Sequence, residues 1–231
     1  MGYFKLIFGG SGLRPRGSSN PEGGITPSVK RGYVKVSLLV MNKIRSVYEL
    51  ARPYLKVRNG ETHVRVALRY AETLLELRGG DREVIFISLI LHDTGRSRIP
   101  EDVIEKTWGP NADPEYVRLH ERESVNIAKE ILRDMEIDPE RLKEILDIIS
   151  GHDSRVEPIS LNDAIVKDSD KLSRFHRDSF WYIVRKLNLD PKEFLEFLSL
   201  KIDSWFILSE SKQIARKEIK RLEEEIDNLG R

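Results

Sequence analysis

The sequence predicts an all-α protein, and three observations predict it. Apolar residues recur at three- and four-residue steps through most of the chain, Asp-Pro and Gly-Gly pairs fall where such segments begin and end, and no segment alternates polar and apolar residues in the two-residue rhythm of a strand. The chain has 231 residues, 39% of them hydrophobic and 33% charged. That is long enough to bury a substantial core as one domain with appendages.

Taken in order, the elements divide the chain in three. Gly9 to Gly24 is dense in Gly, Ser, Pro and Arg and has too few apolar positions to offset the entropy of ordering it. Residues 1–40 therefore read as a flexible tail, with Met41 opening an amphipathic segment at which the biological start could lie. Residues 41–185 read as the main helical domain. Ala67, Tyr70, Ala71, Leu74 and Leu75 share one helical face, Gly79-Gly80 stops that helix, and Asp81 caps the next. Val84 to Leu91 is apolar on all sides, which suits a buried helix or a buried strand; its length up to Asp93 selects the helix. Past a loop holding Pro100, Pro110 and Pro114, a long helix follows on Val117, Val125, Ala128, Ile131 and Leu132. Asp138-Pro139 caps and starts another through Leu142, Ile145, Leu146 and Ile149, and a further helix spans Ala164 to Phe175. Residues 186–231 read as C-terminal helices. Asp190-Pro191 starts one with Phe194, Leu195, Leu198, Ile202 and Trp205 on a face, and Ala215, Ile219, Leu222, Ile226 and Leu229 mark the last. These are expected to pack on the domain, with a homodimer contact as the alternative.

Charge and composition exclude several functions. Lys plus Arg (39) nearly balance Asp plus Glu (38), for a formal net charge of +1, so the overall balance points neither to nucleic acid nor to a membrane surface. There is no cysteine, hence no disulfide framework and no thiol nucleophile, and any metal must sit on nitrogen and oxygen. The apolar run at Val84–Leu91 is far short of the roughly 20 residues that span a bilayer, and no signal-peptide pattern opens the chain. A cytoplasmic location is the expectation.

The histidines are the chemical signal. Of the five in the chain, four join two aspartates in the series His63, His92-Asp93, His120, His152 and Asp170. Neighbours on a helix project about 100° apart, so His92 and Asp93 can reach one ion only where the helix ends, which is where they lie. Imidazole nitrogen and carboxylate then meet on one metal, and the second carboxylate oxygen is free to bridge to another. Singly, His63 reads as a capping or surface histidine and His120 as a helix-start residue; only the ordered set points to a metal centre. His176 has no matching motif and reads as structural.

The ordered set resembles the HD superfamily of metal-dependent phosphohydrolases, whose signature is a His, a His-Asp pair about a helical hairpin later, and a distant Asp: here His63, His92-Asp93 and Asp170. Leu91-His-Asp-Thr-Gly-Arg-Ser-Arg-Ile-Pro100 followed by His120 looks like the HD-GYP branch, and His120-Glu-Arg-Glu-Ser124 looks like the HExxS helix start of nucleotide-cleaving HD enzymes. The similarity covers roughly residues 61–175. It implies an HD-domain helical bundle with a C-terminal helical extension, and an ion held by His63, His92, Asp93 and Asp170, with His120 and His152 holding a second ion or contacting the scissile phosphate. The departures are equally specific. Where the HD-GYP branch has two consecutive histidines this chain has Gly151-His152-Asp153, and it has no Gly-Tyr-Pro segment, so cyclic-dinucleotide cleavage is not carried over.

The resemblance implies a phosphohydrolase acting on a small-molecule phosphoester or nucleotide through metal-activated water at Asp93 and His120, with one or two divalent ions (Mn, Fe, Ni, Co or Zn, with Mg less suited to nitrogen ligands). Arg96 is either a phosphate clamp or a surface ion pair, and Lys171 a second positive charge beside Asp170. Asp153 and Asp168 divide between orienting ligand histidines and capping helices. Trp108 and Tyr116 are candidates to stack on a base. The alternatives are a di-iron oxygenase, since some HD proteins use the same ligand order to activate oxygen, and a non-catalytic nucleotide-binding module.

Overall fold

The computed structural model describes residues 27–107 and 112–229. Among them are nine α-helices and no strand: α1 (Pro27–Ala51), α2 (Gly60–Arg78), α3 (Arg82–Leu91), α4 (Pro114–Leu132), α5 (Pro139–Ile149), α6 (Leu161–Ser173), α7 (Arg177–Leu187), α8 (Pro191–Trp205) and α9 (Ser209–Leu229). Short 3₁₀ turns at Arg52–Asn59, Thr94–Arg98 and Ile104–Thr107 link the early helices. The all-α expectation holds. The stretch Gly9–Gly24 lies outside the described residues, as does Trp108, and helix α1 begins at Pro27, upstream of Met41.

The helix boundaries follow from the residues that make them. Asp81 accepts the amides of Glu83 and Val84 at 2.9 and 3.3 Å, satisfying donors that α3 itself cannot. Asp113, Asp138 and Asp190 do the same for α4, α5 and α8, each followed by Pro at the first helical position. Ser160 caps α6 and His176 caps α7, the latter by accepting the amide of Asp178 at Nδ1, 3.2 Å away. Gly79 ends α2 at φ 75° and Gly80 follows at φ 127°, backbone that a side chain would strain.

Helix α3 is the centre of the bundle. All of its residues from Glu83 to Leu91 are buried, and it contacts α1, α2, α5 and α6. Because its apolar residues face every neighbour, the helix has no solvent face. Each fully buried Ile or Leu contributes about 1.5–3 kcal/mol, which fixes where the end of α3, and with it His92-Asp93, must lie. Helix α6 lies along α2, and α4 packs over the Thr94–Arg98 turn. At the C terminus α8 and α9 pair, and α9 also reaches α6 and α2. Ala215, Ile219, Leu222 and Ile226 are buried in those contacts, leaving Leu229 of that series exposed. No helix among the described residues is long and apolar enough to cross a membrane.

Candidate metal centre

His92 is the residue that ends α3, and its Nδ1 lies 2.8 Å from the carbonyl oxygen of Leu89, three residues back. A carbonyl can only accept, so Nδ1 carries the proton and the lone pair of the neutral ring is on Nε2. His152, just past the end of α5, repeats the device: its Nδ1 lies 2.8 Å from the carbonyl of Ile149. Both carbonyls belong to helix C-terminal turns, which have acceptors to spare. His63, in the first turn of α2, is oriented through Ser173. The Ser173 hydroxyl donates to the carbonyl of Asp170 at 2.6 Å and therefore accepts from His63 Nδ1 at 2.9 Å, again leaving Nε2 to face inward. His120, on α4, is fully buried and its Nδ1 has no hydrogen-bond partner.

The inward-facing atoms fall into two sets that share Asp93. On one side, His63 Nε2 and His92 Nε2 are 3.2 Å apart, Asp170 Oδ1 is 3.1 and 3.6 Å from them, and Asp93 Oδ2 is 3.8 and 3.5 Å from them. On the other, His120 Nε2 and His152 Nε2 are 3.2 Å apart, Asp93 Oδ1 lies 3.7 and 3.4 Å away, and Asp153 Oδ2 lies 3.5 and 3.6 Å away. Metal–ligand bonds of about 2.0–2.2 Å put adjacent donor atoms about 3.0–3.6 Å apart, and all of these separations fall in that range except those of Asp93 from His63 and His120, at 3.8 and 3.7 Å. With their Nδ1 atoms committed to Ser173 and Leu89, His63 and His92 bring their Nε2 atoms within 3.2 Å of each other, the separation of two ligands on one cation. The described residues thus include His/Asp clusters that could hold a divalent metal.

Electrostatics keep the carboxylates ionised. Burial pushes Asp93 up, but the Arg96 guanidinium and the imidazoles of His92 and His152 outweigh it and hold the group well below the usual carboxylate range. Asp170 is likewise held well below that range despite burial, by Arg174 and then His63 and His92. Asp153 is lowered against burial by His152 and by the hydrogen bond from His120. The two histidines near Asp153 differ: burial lowers His120, whereas Asp153 and Asp93 overcome burial at His152 and raise it to about 9. A cation bound at His152 Nε2 would take the place of a proton there.

The charged side chains near the cluster have different partners. Arg96 stands beside the cluster and pairs with its carboxylates, with Nε 3.0 Å from Asp93 Oδ1 and Nη2 3.4 Å from Asp153 Oδ2. Lys171 does not join the cluster: it follows Asp170 by one residue, about 100° round the helix, and its ammonium donates to the carbonyl of Trp205 at 2.9 Å. The cation beside Asp170 is Arg174, one turn on and so on the same face, 3.2 Å from Asp170 Oδ2. Asp168 orients no histidine; it accepts the amides of Ile207 and Leu208 at 3.0 and 2.8 Å and fastens the α8–α9 junction to α6. Tyr116 lies near Lys106, whose ammonium is 5.5 Å from its ring centroid. The sequence reading left Asp153 between an orienting role and a cap, yet its carboxylate stands among the donor atoms. The signal that could have found it is the repetition of His92-Asp93 as His152-Asp153, each following a helix whose last two residues are apolar.

A cleft lined by His63, Asp93 and Arg96 opens on the cluster. Arg174 and Lys186 add positive charge to it and Tyr54 and Tyr182 add aromatic surface, residues for which the sequence carried no motif.

Close approach of the motif segments rests on one glycine. A Cβ on Gly95 would stand 2.2 Å from the carbonyl oxygen of His120 and 2.3 Å from the amide nitrogen of Ser124. Only glycine lets the Thr94–Arg98 turn reach α4 closely enough for Asp93 and His120 to share a site.

No curated protein and no solved structure matches this chain. The HD domain family model matches residues 60–174, the span that contains His63, His92-Asp93, His120, His152-Asp153 and Asp170. By that match, and by the helical bundle that carries the His-Asp pair at the end of its buried helix, the chain belongs to the HD-domain superfamily.

Proposed function

We propose that the protein is a metal-dependent phosphohydrolase with a two-ion centre. One ion would be held by His63, His92, Asp93 and Asp170, the other by Asp93, His120, His152 and Asp153. The observation that carries this reading is the position of Asp93, whose two oxygens face two separate histidine pairs. Divalent ions held there would supply water activated near neutral pH and neutralise charge on phosphate oxygens, so that hydrolysis would require no side-chain nucleophile.

The remaining steps belong to side chains. Arg96 lines the cleft, and cations that neutralised Asp93 and Asp153 would release its planar fork, now paired with those carboxylates, to two phosphate oxygens. Arg174 and Lys186 extend that positive lining, which favours an anionic substrate. Tyr54 and Tyr182 offer ring faces to its organic part. Nucleotides and related small phosphoesters combine these properties.

Metal analysis together with hydrolysis of a phosphomonoester, a phosphodiester and a nucleotide panel tests the reading, with Asp93→Ala as control. Metal-dependent turnover lost in Asp93→Ala is expected. Bound metal without phosphoester turnover overturns it; oxygen consumption by an iron-loaded protein would then favour the oxygenase.

A further inference from the structure

His152 and Asp153 sit on a segment that no helix or strand holds, the turn 151–155 that follows α5. The amides of Gly151 and Arg155 bond the carbonyls of Ile148 and Gly151 at 3.2 Å, and five further polar backbone contacts of the turn are made by charged side chains from elsewhere. The ammonium of Lys167, on α6, donates to three carbonyls at once: Gly151 at 2.6 Å, His152 at 2.9 Å and Arg155 at 2.7 Å. That uses all three donors of an ammonium. The carboxylate of Glu121, on α4, accepts through one oxygen the amides of Asp153 and Ser154 at 2.9 and 2.8 Å. Both side chains are buried, at 2% exposure for each residue. Charged groups are rarely so enclosed unless fully paired, and here the partners are mainly the backbone of one turn.

The same turn explains how the chain accommodates glycine where the HD-GYP pattern has histidine. A Cβ at residue 151 would stand 2.5 Å from Nη1 and 2.8 Å from Cζ of Arg155, whose guanidinium donates to the carbonyl of Asp147 and to the buried carboxylate of Asp163. The space beside Gly151 is filled by a brace running back to α5 and α6.

We infer that Lys167 and Glu121 are positioning residues, which clamp the 151–155 turn from its carbonyl and amide sides and thereby hold His152 and Asp153 at the spacing that a cation requires. The clamp is tied to the ligand helices themselves, because Glu121 follows His120 and Lys167 precedes Asp170 on the same helix. Its effect is confined to one cation position: none of these bonds reaches His63, His92 or Asp170. The inference rests on the two-ion reading above for what the clamp serves.

The test is titration of the metal-free protein with Mn²⁺ alone, counting bound ions by the EPR signal of the free ion, for wild type, Lys167→Met, Glu121→Leu and Glu121→Gln. Wild type is expected to bind two ions. Lys167→Met and Glu121→Leu are expected to weaken one ion by about 10–100-fold, the usual effect of removing an outer partner of a ligand, and to leave the other unchanged. Glu121→Gln keeps an acceptor oxygen and is expected to retain both. Two ions bound with wild-type affinity in Lys167→Met overturn the clamp. Hydrogen exchange at the amides of Asp153 and Ser154 gives an answer that does not depend on the ion count. If wild type binds fewer than two ions, the two-ion reading fails, while the clamp stands or falls on whether Lys167→Met deprotects those amides. Should Lys167→Met fail to fold, the contrast between Glu121→Leu and Glu121→Gln decides: equal loss in both overturns the proposal.

Discussion

The amide of Gly95 donates to the hydroxyl of Ser124 at 2.9 Å. This one bond joins the segment that carries His92-Asp93 to the helix that carries His120, and both partners are buried. Gly95→Ala is expected to destabilise the fold by at least about 3 kcal/mol, since its methyl group meets backbone rather than a movable side chain. Ser124→Ala, which leaves the Gly95 amide without a partner, is expected to cost about 1–3 kcal/mol. Denaturant unfolding of the metal-free proteins checks both, and a Gly95→Ala protein of wild-type stability would contradict the packing described.

The sharing of Asp93 between two histidine pairs separates three variants by metal content. Asp170→Asn is expected to lose the ion beside His63 and His92, Asp153→Asn the ion beside His120 and His152, and Asp93→Asn to impair both. Metal analysis after dialysis reads the pattern. Retention of both ions in Asp153→Asn would remove that residue from the ligand set.

Among the cations, Arg96 and Lys171 have opposite expectations although they lie close to ligands in sequence. Arg96→Gln is expected to lower kcat/KM for a phosphoester by about 10²–10³, the effect of removing one donor to developing charge. Lys171→Met removes only the bond to Trp205 and is expected to leave kcat/KM within about twofold. Steady-state kinetics on the best substrate of the panel makes the comparison.

Asp168 is two residues from Asp170 and yet serves the C-terminal helices. Asp168→Ala removes hydrogen bonds to the amides of Ile207 and Leu208 and is expected to cost about 3 kcal/mol, each bond to a charged acceptor being worth about 1.5–3. Metal content is expected to stay at the wild-type value, which an orienting role toward a ligand histidine would not allow.

His176 supplies a pH dependence away from the metal centre. Burial lowers its pKa, and in the neutral form Nδ1 accepts the amide of Asp178 at the start of α7. In the unfolded chain the group titrates near about 6.5, so as pH falls below that value the unfolded state takes up a proton that the folded state resists. The stabilising contribution is therefore present above about 6.5 and is lost as pH falls through the lowered folded pKa. His176→Asn, which keeps a capping acceptor without titrating, is expected to melt closer to its neutral-pH temperature at pH 5 than wild type does. Both proteins are compared metal-free, so that the ligand histidines contribute equally.

The sequence by itself determined the helical class, most helix boundaries and the ordered histidine set, because these depend on local chemistry. Asp-Pro caps, the Gly79-Gly80 stop and an eight-residue apolar run each act within a turn or two of their own position. It did not determine which charged side chains face the cluster. Lys171 and Asp168 share one helix with Asp170 and Arg174 caps its end, and only the packing of α6 against α2 and the C-terminal helices fixed what each of them meets. Tertiary structure likewise decided that Asp153 stands beside Asp93 and that Tyr54, Tyr182 and Lys186 meet in one cleft. Those proximities join residues far apart in the chain, and a helix face acquires its meaning only from what is packed against it.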